Sequence, residues 1–140
     1  MYGILVILGL AASAAERPTK AYVAAMKSLE TVSHGLDQAI NSHDHQTMNQ
    51  HIILARSALA VVQRYWRDSA IDDDDDAIKT ISGASRAISE ISVAAYLMGL
   101  SPNPVAVEGA ELALKNLRTS CTTCHTAHRL ELPDGSYLIK

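Results

Sequence analysis

The sequence predicts an all-α protein that folds as an antiparallel up-down-up-down four-helix bundle. Four segments carry apolar residues at alternating spacings of three and four, the pattern of a helix with one buried face. Gly and Pro number only 7 and 4 in 140 residues, which favours long helices, and no alternating strand pattern competes with them. Four helices of about 25 residues with short connections pack with their neighbours antiparallel.

The first two predicted helices follow one another across a polar turn. The first begins near Pro18, which suits a first helical turn, and the second is capped by Ser42 or Asp44. The predicted inward positions are Tyr22, Met26, Leu29, Ser33, Leu36 and Ile40 in the first helix, and Met48, Ile52, Ala55, Leu59, Val62 and Trp66 in the second.

The third and fourth predicted helices are separated by the turn SPNP, residues 101–104. The third closes at Gly99, and the fourth runs to Glu131. Their inward positions are Ile81, Ala84, Ile88, Ile91, Ala95 and Met98 in the third, and Val107, Ala110, Leu114, Leu117, Cys121, Cys124 and His128 in the fourth. Because Cys121 and Cys124 continue this row, both thiols are expected to point into the bundle, with His125 flanking the same face.

The composition limits what can fill the core and what can bind outside it. Apolar residues make up 48% of the chain, yet aromatic residues only 4%, and Phe is absent. The core is therefore filled by aliphatic side chains or by a group that is not protein. A formal charge of −3 without a cluster of Lys or Arg excludes a nucleic-acid-binding face.

Residues 1–15, MYGILVILGLAASAA, differ from the rest of the chain. They are apolar and uncharged, end in a small-x-small pattern suited to signal peptidase, and are shorter than the ~20 residues of a membrane-spanning helix. We expect a signal peptide, an exported periplasmic domain over residues 16–140, and no stable membrane insertion after cleavage. No Lys or Arg precedes the apolar run, so a start further upstream and a retained weak anchor stay open.

The only two cysteines of the chain lie in the pentapeptide CTTCH, formed by Cys121, Thr122, Thr123, Cys124 and His125. C-x-x-C-H is the attachment pattern of c-type haem. Two thiols at i and i+3 lie on one helix face, where each can form a thioether to a haem vinyl group, and the adjacent imidazole reaches the iron. The pattern therefore predicts one covalently bound haem.

Three other interpretations of this pentapeptide were weighed. A disulfide leaves the histidine without a role, and a thioredoxin-type redox pair requires a βαβ setting that the chain lacks. A zinc site would add His128 to the two thiols and His125, but four ligands within eight helical residues cannot easily surround a tetrahedral ion. The alternative without haem is therefore a four-helix bundle with a structural role, stabilised by a bound metal or by a disulfide.

With these residues the chain resembles the class II c-type cytochromes, cytochrome c′ and its low-spin relative cytochrome c556. The shared features are a signal peptide, a four-helix bundle and one C-x-x-C-H near the C-terminus, which maps onto Cys121, Cys124 and His125 without a gap. The resemblance implies one haem c and single-electron transfer to redox partner proteins, rather than enzymatic turnover. Homodimers are common in the family, which makes a second copy a candidate partner.

Three positions near the proposed haem deserve comparison with the family. Arg129 matches an arginine that follows the motif, whereas His128 stands where the family often has an aromatic residue. Tyr22 aligns with an arginine that the family usually keeps in the first helix near the haem. His128 either lines the haem edge or is a partly exposed helix-end histidine. Tyr22 and Arg129 are expected to contact the cofactor.

The resemblance leaves two candidates for the second axial side of the iron. In cytochrome c556 a Met of the first helix ligates iron, and AYVAAMK aligns Met26 with that residue. In cytochrome c′ an apolar residue blocks this side, and the iron stays five-coordinate and binds small gases such as NO and CO. Met26 and His125 are expected ~12 and ~9 Å from the same end of the bundle. We expect Met26 and His125 to be the iron ligands. The alternative is that Met26 only fills a gap in the core.

Three remaining features lie outside the motif. His43, His45 and His51 are expected in a solvated loop at the opposite end, with a surface metal as the alternative. The five carboxylates of residues 72–76 predict a solvated loop, or a docking face for a basic redox partner. The turn Pro133-Asp134-Gly135 allows Tyr137 and Ile139 to fold back over the haem end, or leaves a frayed terminus.

Overall fold

The computed structural model describes residues 15–69, 71 and 74–140. It contains helices α1 (Lys20–Asn41), α2 (His45–Asp68), α3 (Asp74–Leu100) and α4 (Pro104–His128). Consecutive helices pack against each other, which confirms the all-α four-helix bundle. The predicted signal peptide falls on residues outside this description, except for Ala15. No helix of the described residues is long and apolar enough to cross a membrane.

Three helix starts are fixed by side-chain caps. Thr19 Oγ1 accepts a hydrogen bond from the Tyr22 N–H at 3.1 Å, so α1 begins directly after Pro18-Thr19. Asp44, not Ser42, caps α2, because its Oδ1 accepts from two backbone N–H groups of the first turn. Asn103 caps α4, with Pro104 as the first helical residue.

The core is aliphatic, as the composition predicts. Its fully buried large side chains include Leu36, Ile40, Met48, Ile52, Ile88, Ile91 and Leu117, and Trp66 joins them from the end of α2. The seams α1–α2, α2–α3 and α3–α4 are closely packed, but the α1–α4 seam is much sparser. A bundle with one loose seam leaves room there for a group that is not protein.

The chain after α4 forms a short β-hairpin that sequence reasoning missed. Strands β1 (Arg129–Glu131) and β2 (Tyr137–Ile139) pair antiparallel around a turn in which Gly135 has φ +80°. The prediction that the fourth helix runs to Glu131 is wrong, because Arg129 is already extended (φ −107°, ψ 126°). Glu16 forms an additional antiparallel β-bridge with Ile139, through two backbone hydrogen bonds of 2.8 Å. The tail thus folds back onto the bundle.

Candidate functional site

A cleft of about 960 Å³ lies along the loose seam between α1 and α4. Its α1 wall is formed by Val23, Met26, Lys27, Leu29, Glu30, Ser33 and His34, and its α4 wall by Arg118, Cys121, Thr122 and His125. Most of these positions recur at spacings of three and four along each helix, so one face of α1 and one face of α4 line opposite sides of the cleft. The two faces therefore enclose one elongated site.

The ends of the cleft are closed by different elements. At one end Arg118 bridges the two helices, donating from Nε to Ser33 Oγ at 3.0 Å and placing Nη2 3.2 Å from Asp37 Oδ2. At the other end the hairpin turn contributes Gly135, Ser136 and Tyr137 to the lining. Arg118 was not predicted, although it shares a face of α4 with Cys121 and His125 and that spacing was the available signal.

The two cysteines lie on the α4 side of the site with free thiols. Cys121 is half-buried and lines the cleft, while Cys124 is buried and lines two smaller cavities with Met26 and His125. Burial raises the pKa of the Cys121 thiol. The pKa of the Cys124 thiol is raised to about 11, first by burial and then by the nearby Cys121 and Asp76. Both thiols are therefore protonated at neutral pH.

His125 is on the cleft surface, beside Cys121. His125 is exposed as a residue, but part of its ring is shielded from solvent. This partial burial, and then the positive charge of Arg129, lower the pKa of the imidazole. A lowered pKa keeps the ring neutral near pH 7, and the neutral imidazole is the form that ligates metals. His125 thus offers a ligating nitrogen to the cleft.

Met26 lines the cleft and both smaller cavities, and His125 lines the same three spaces. Met26 is half-buried rather than part of the closed core. It lies six residues after Lys20 and His125 three residues before the end of α4, so they stand ~9 and ~4.5 Å from their helix ends. Both offsets are smaller than expected because α1 begins later and α4 ends earlier, but the two residues do share one site.

Tyr22 belongs to a row of aromatic rings behind the site that contact one another in tilted and edge-to-face arrangements. Its ring centroid lies 4.4 Å from that of Tyr65, which lies 6.0 Å from Trp66, which in turn lies 4.8 Å from His128. Tyr22 is 2% exposed and lines a small cavity with Cys124 and His125. Burial raises the pKa of its hydroxyl, which stays protonated. Aromatic residues are scarce in this chain, and most of those described gather at this end.

His128 is buried, which rules out the partly exposed helix-end alternative. Its side chain is 2% exposed, with Nδ1 3.2 Å from the carbonyl oxygen of Lys140 and Nε2 3.4 Å from Asp76 Oδ2. It lines the same small cavity as Cys124, consistent with a position at the edge of a bound group.

Arg129 lies at the junction of α4 and the hairpin and lines the cleft. Its guanidinium carbon is 4.1 Å from the Tyr137 ring centroid, and its Nε is 2.7 Å from Glu131 Oε1. Ile139 is 2% exposed and anchors the tail. The alternative of a frayed terminus is therefore wrong, and the hairpin forms one wall of the site.

The histidines of the predicted polar loop do not line the cleft. His51 packs over Gly35 at a close approach of α1 and α2, and His45 packs over Gly99. Within the described residues, no three or more His, Cys, Asp or Glu side chains come together in a group that could hold a metal ion. Of the carboxylate run, residues 72 and 73 lie outside the description, while Asp75 and Asp76 are exposed.

The cleft suits a haem in both size and donor set. Its volume is within the ~300–1,000 Å³ range of cofactor sites, and its walls are largely apolar. Two thiols, an imidazole and a thioether line the cleft and the cavities that adjoin it. Comparison with protein-family models, characterised proteins and solved structures gave no match.

Proposed function

We propose that the chain is an exported monohaem c-type cytochrome of the class II kind, which carries single electrons between redox proteins. Cys121 and Cys124 would hold the haem through thioethers, and His125 and Met26 would be its axial ligands. Haem supplies a one-electron iron couple when bound. A periplasmic location and cleavage after residue 15 belong to the same proposal.

The observation that carries this proposal is that Met26, Cys121, Cys124 and His125 line the cleft and the small cavities that share its residues. Met26 comes from α1 and His125 from α4, and they face the same cleft across the sparsely packed seam. In a bundle whose other three seams are closed, this is where a large planar group can enter without displacing core side chains. The thioether and imidazole are an established ligand pair for c-type haem.

Each residue has a physical role in a carrier. Cys121 and Cys124, whose thiols burial keeps protonated, would hold the haem as covalent thioethers. Neutral His125 offers one nitrogen, and Met26 offers a sulfur that needs no deprotonation. Leu29 and Val23 on the α1 wall keep the inner cleft apolar, which limits access of water. A site with both axial positions filled leaves no position for substrate.

One observation favours the gas-binding alternative, a five-coordinate protein. A cavity of about 30 Å³ adjoins Met26 on the core side and is lined mainly by apolar residues, among them Leu29, Leu59, Val62 and Ile81. This volume accommodates a molecule the size of water. If Met26 only fills space, the cavity is where a diatomic gas would fit.

A reductive titration tests the carrier function. The protein, matured in a periplasm that attaches haem, should take up one electron per covalently bound haem, follow a one-electron Nernst curve, and return to its starting spectrum on reoxidation. The reduced form should be reoxidised equally fast by a small mediator in the presence and absence of CO, since a filled sixth position leaves CO no site. Inhibition by CO would favour the gas-binding alternative instead.

A further inference from the structure

The cleft contains more positive charge than the proposed ligands and anchors explain. Four basic residues contribute to its lining, Arg17, Lys27, Arg118 and Arg129, together with one carboxylate, that of Glu30. The chain as a whole has a formal charge of −3. Four cations against one carboxylate in the lining of a single cleft indicate a ligand that brings negative charge.

Two of these cations already have protein partners. Arg118 is held by Ser33 and by Asp37, whose Oδ2 lies 3.2 Å from Nη2. Arg129 stacks on Tyr137 and lies beside Glu131. Their charges are at least partly compensated within the protein.

Lys27 and Arg17 differ from these two. Among the side chains of residues 15–69, 71 and 75–140, no carboxylate lies at ion-pair distance from either cation, and both cations are exposed. Lys27 follows Met26 on α1. Arg17 lies in the segment that leads into α1, directly after Glu16, which forms a β-bridge with Ile139. Hydrogen bonds from Ser136, and then the charge of Arg17, lower the pKa of Asp134, so Arg17 lies near a carboxylate without forming a close ion pair with it. Two cations that no described carboxylate holds in a close ion pair thus line the cleft.

We infer that Lys27 and Arg17 receive the two carboxylates of the haem, an inference that rests on the proposed function. In haem the two propionate carboxylates stand on the ring edge remote from the two vinyl groups. With the vinyl groups bonded to α4 through Cys121 and Cys124, the carboxylate partners are expected on elements other than α4. Lys27 and Arg17 meet this condition, and an ammonium or guanidinium makes a charge-assisted hydrogen bond with a carboxylate.

The expected consequence concerns the redox equilibrium rather than haem retention. The thioethers hold the haem covalently, so loss of a carboxylate partner does not release it. Oxidised iron has one more positive charge than reduced iron, and a cation held near the haem therefore favours the reduced form. Neutralising Lys27 or Arg17 should shift the equilibrium towards the oxidised form, most clearly at low ionic strength, where screening is weak.

The test compares holoproteins carrying Lys27→Gln, Arg17→Gln or both with a Lys20→Gln control. Lys20 is an exposed cation on the first turn of α1 that does not line the cleft. At a fixed mediator potential, we expect each cleft variant to lower the ratio of reduced to oxidised protein about two- to fivefold, the size of an exposed ion pair. The double variant should lower it further, Lys27→Arg should restore it, and Lys20→Gln should have the smallest effect.

The inference is overturned if Lys27→Gln and Arg17→Gln bind haem normally but behave as Lys20→Gln does. It is also overturned if Lys27→Arg shifts the ratio as far as Lys27→Gln, since the charge would then be irrelevant. These outcomes leave the proposed function untouched. A wild-type chain without covalent haem is the separate result that would remove both.

Discussion

Replacing both cysteines should abolish covalent haem attachment entirely. In Cys121→Ala/Cys124→Ala no thiol remains in the chain, so no thioether can form. We expect no haem-linked peroxidase stain at the position of the protein on a denaturing gel, and complete extraction of any residual haem by acidified acetone. The matched control is Thr122→Ser/Thr123→Ser, which keeps the cysteine spacing and should stain as the wild type does.

A single-cysteine variant keeps this prediction testable if the double variant does not accumulate. Cys121→Ala retains the buried Cys124 and can form one thioether, which leaves one vinyl group unsaturated. Its pyridine haemochrome band should then lie at longer wavelength than that of the wild type. Haem that stays bound to the double variant under denaturing conditions would contradict the covalent anchoring proposed here.

Replacing Met26 should open the iron to external ligands. Met26→Ala removes the sulfur that lines the cleft with His125, and α1 offers no other methionine. The reduced variant should become high-spin and bind one CO per haem, whereas the wild type binds none. Because a Met ligand raises the potential of c-type haem, the variant should also have a lower reduction potential.

The control for this experiment is Met98→Ala. Met98 is likewise half-buried, but it lies near the end of α3, outside the cleft and its adjoining cavities. Met98→Ala should leave the spin state and the CO response unchanged, although Met98→Ala and Met26→Ala both lose some packing. An unchanged spectrum in Met26→Ala would mean that Met26 is a gap-filler, and would favour the gas-binding alternative.

Much of the bundle was predictable because helix stripes and caps are local features. The predicted row on α2 is buried throughout, and those on α1 and α4 are buried except at four half-buried positions, Met26, Ser33, Val107 and Cys121. Asp44 was one of two candidates for the α2 cap. The hairpin was not predictable in the same way. Its strands have three residues each, too few to show alternation, and it is stabilised by pairing with the distant Glu16.

The site was predictable only in part. The C-x-x-C-H residues and Met26 could be identified because a short motif and a stripe placed them on facing helices. The spacing of Arg118 places it on the same face of α4, but its bridging contacts could not be predicted, since they join it to Ser33 and Asp37, which lie about 80 positions away in the sequence. The helical row placed His128 among the inward positions, but the groups that bury it could not be predicted, because Trp66 from α2 and the returning tail at Lys140 enclose it.

The measurement that tests the central claim most directly is the visible absorption spectrum of the reduced wild-type protein, matured with haem attachment, with and without CO. The proposal predicts sharp, split bands of a low-spin haem that do not change when CO is added, as expected for His125 and Met26 on opposite sides of iron. Broad bands that shift with CO would contradict Met26 ligation. Absence of haem absorbance would contradict the assignment of Cys121, Cys124 and His125 to a haem site.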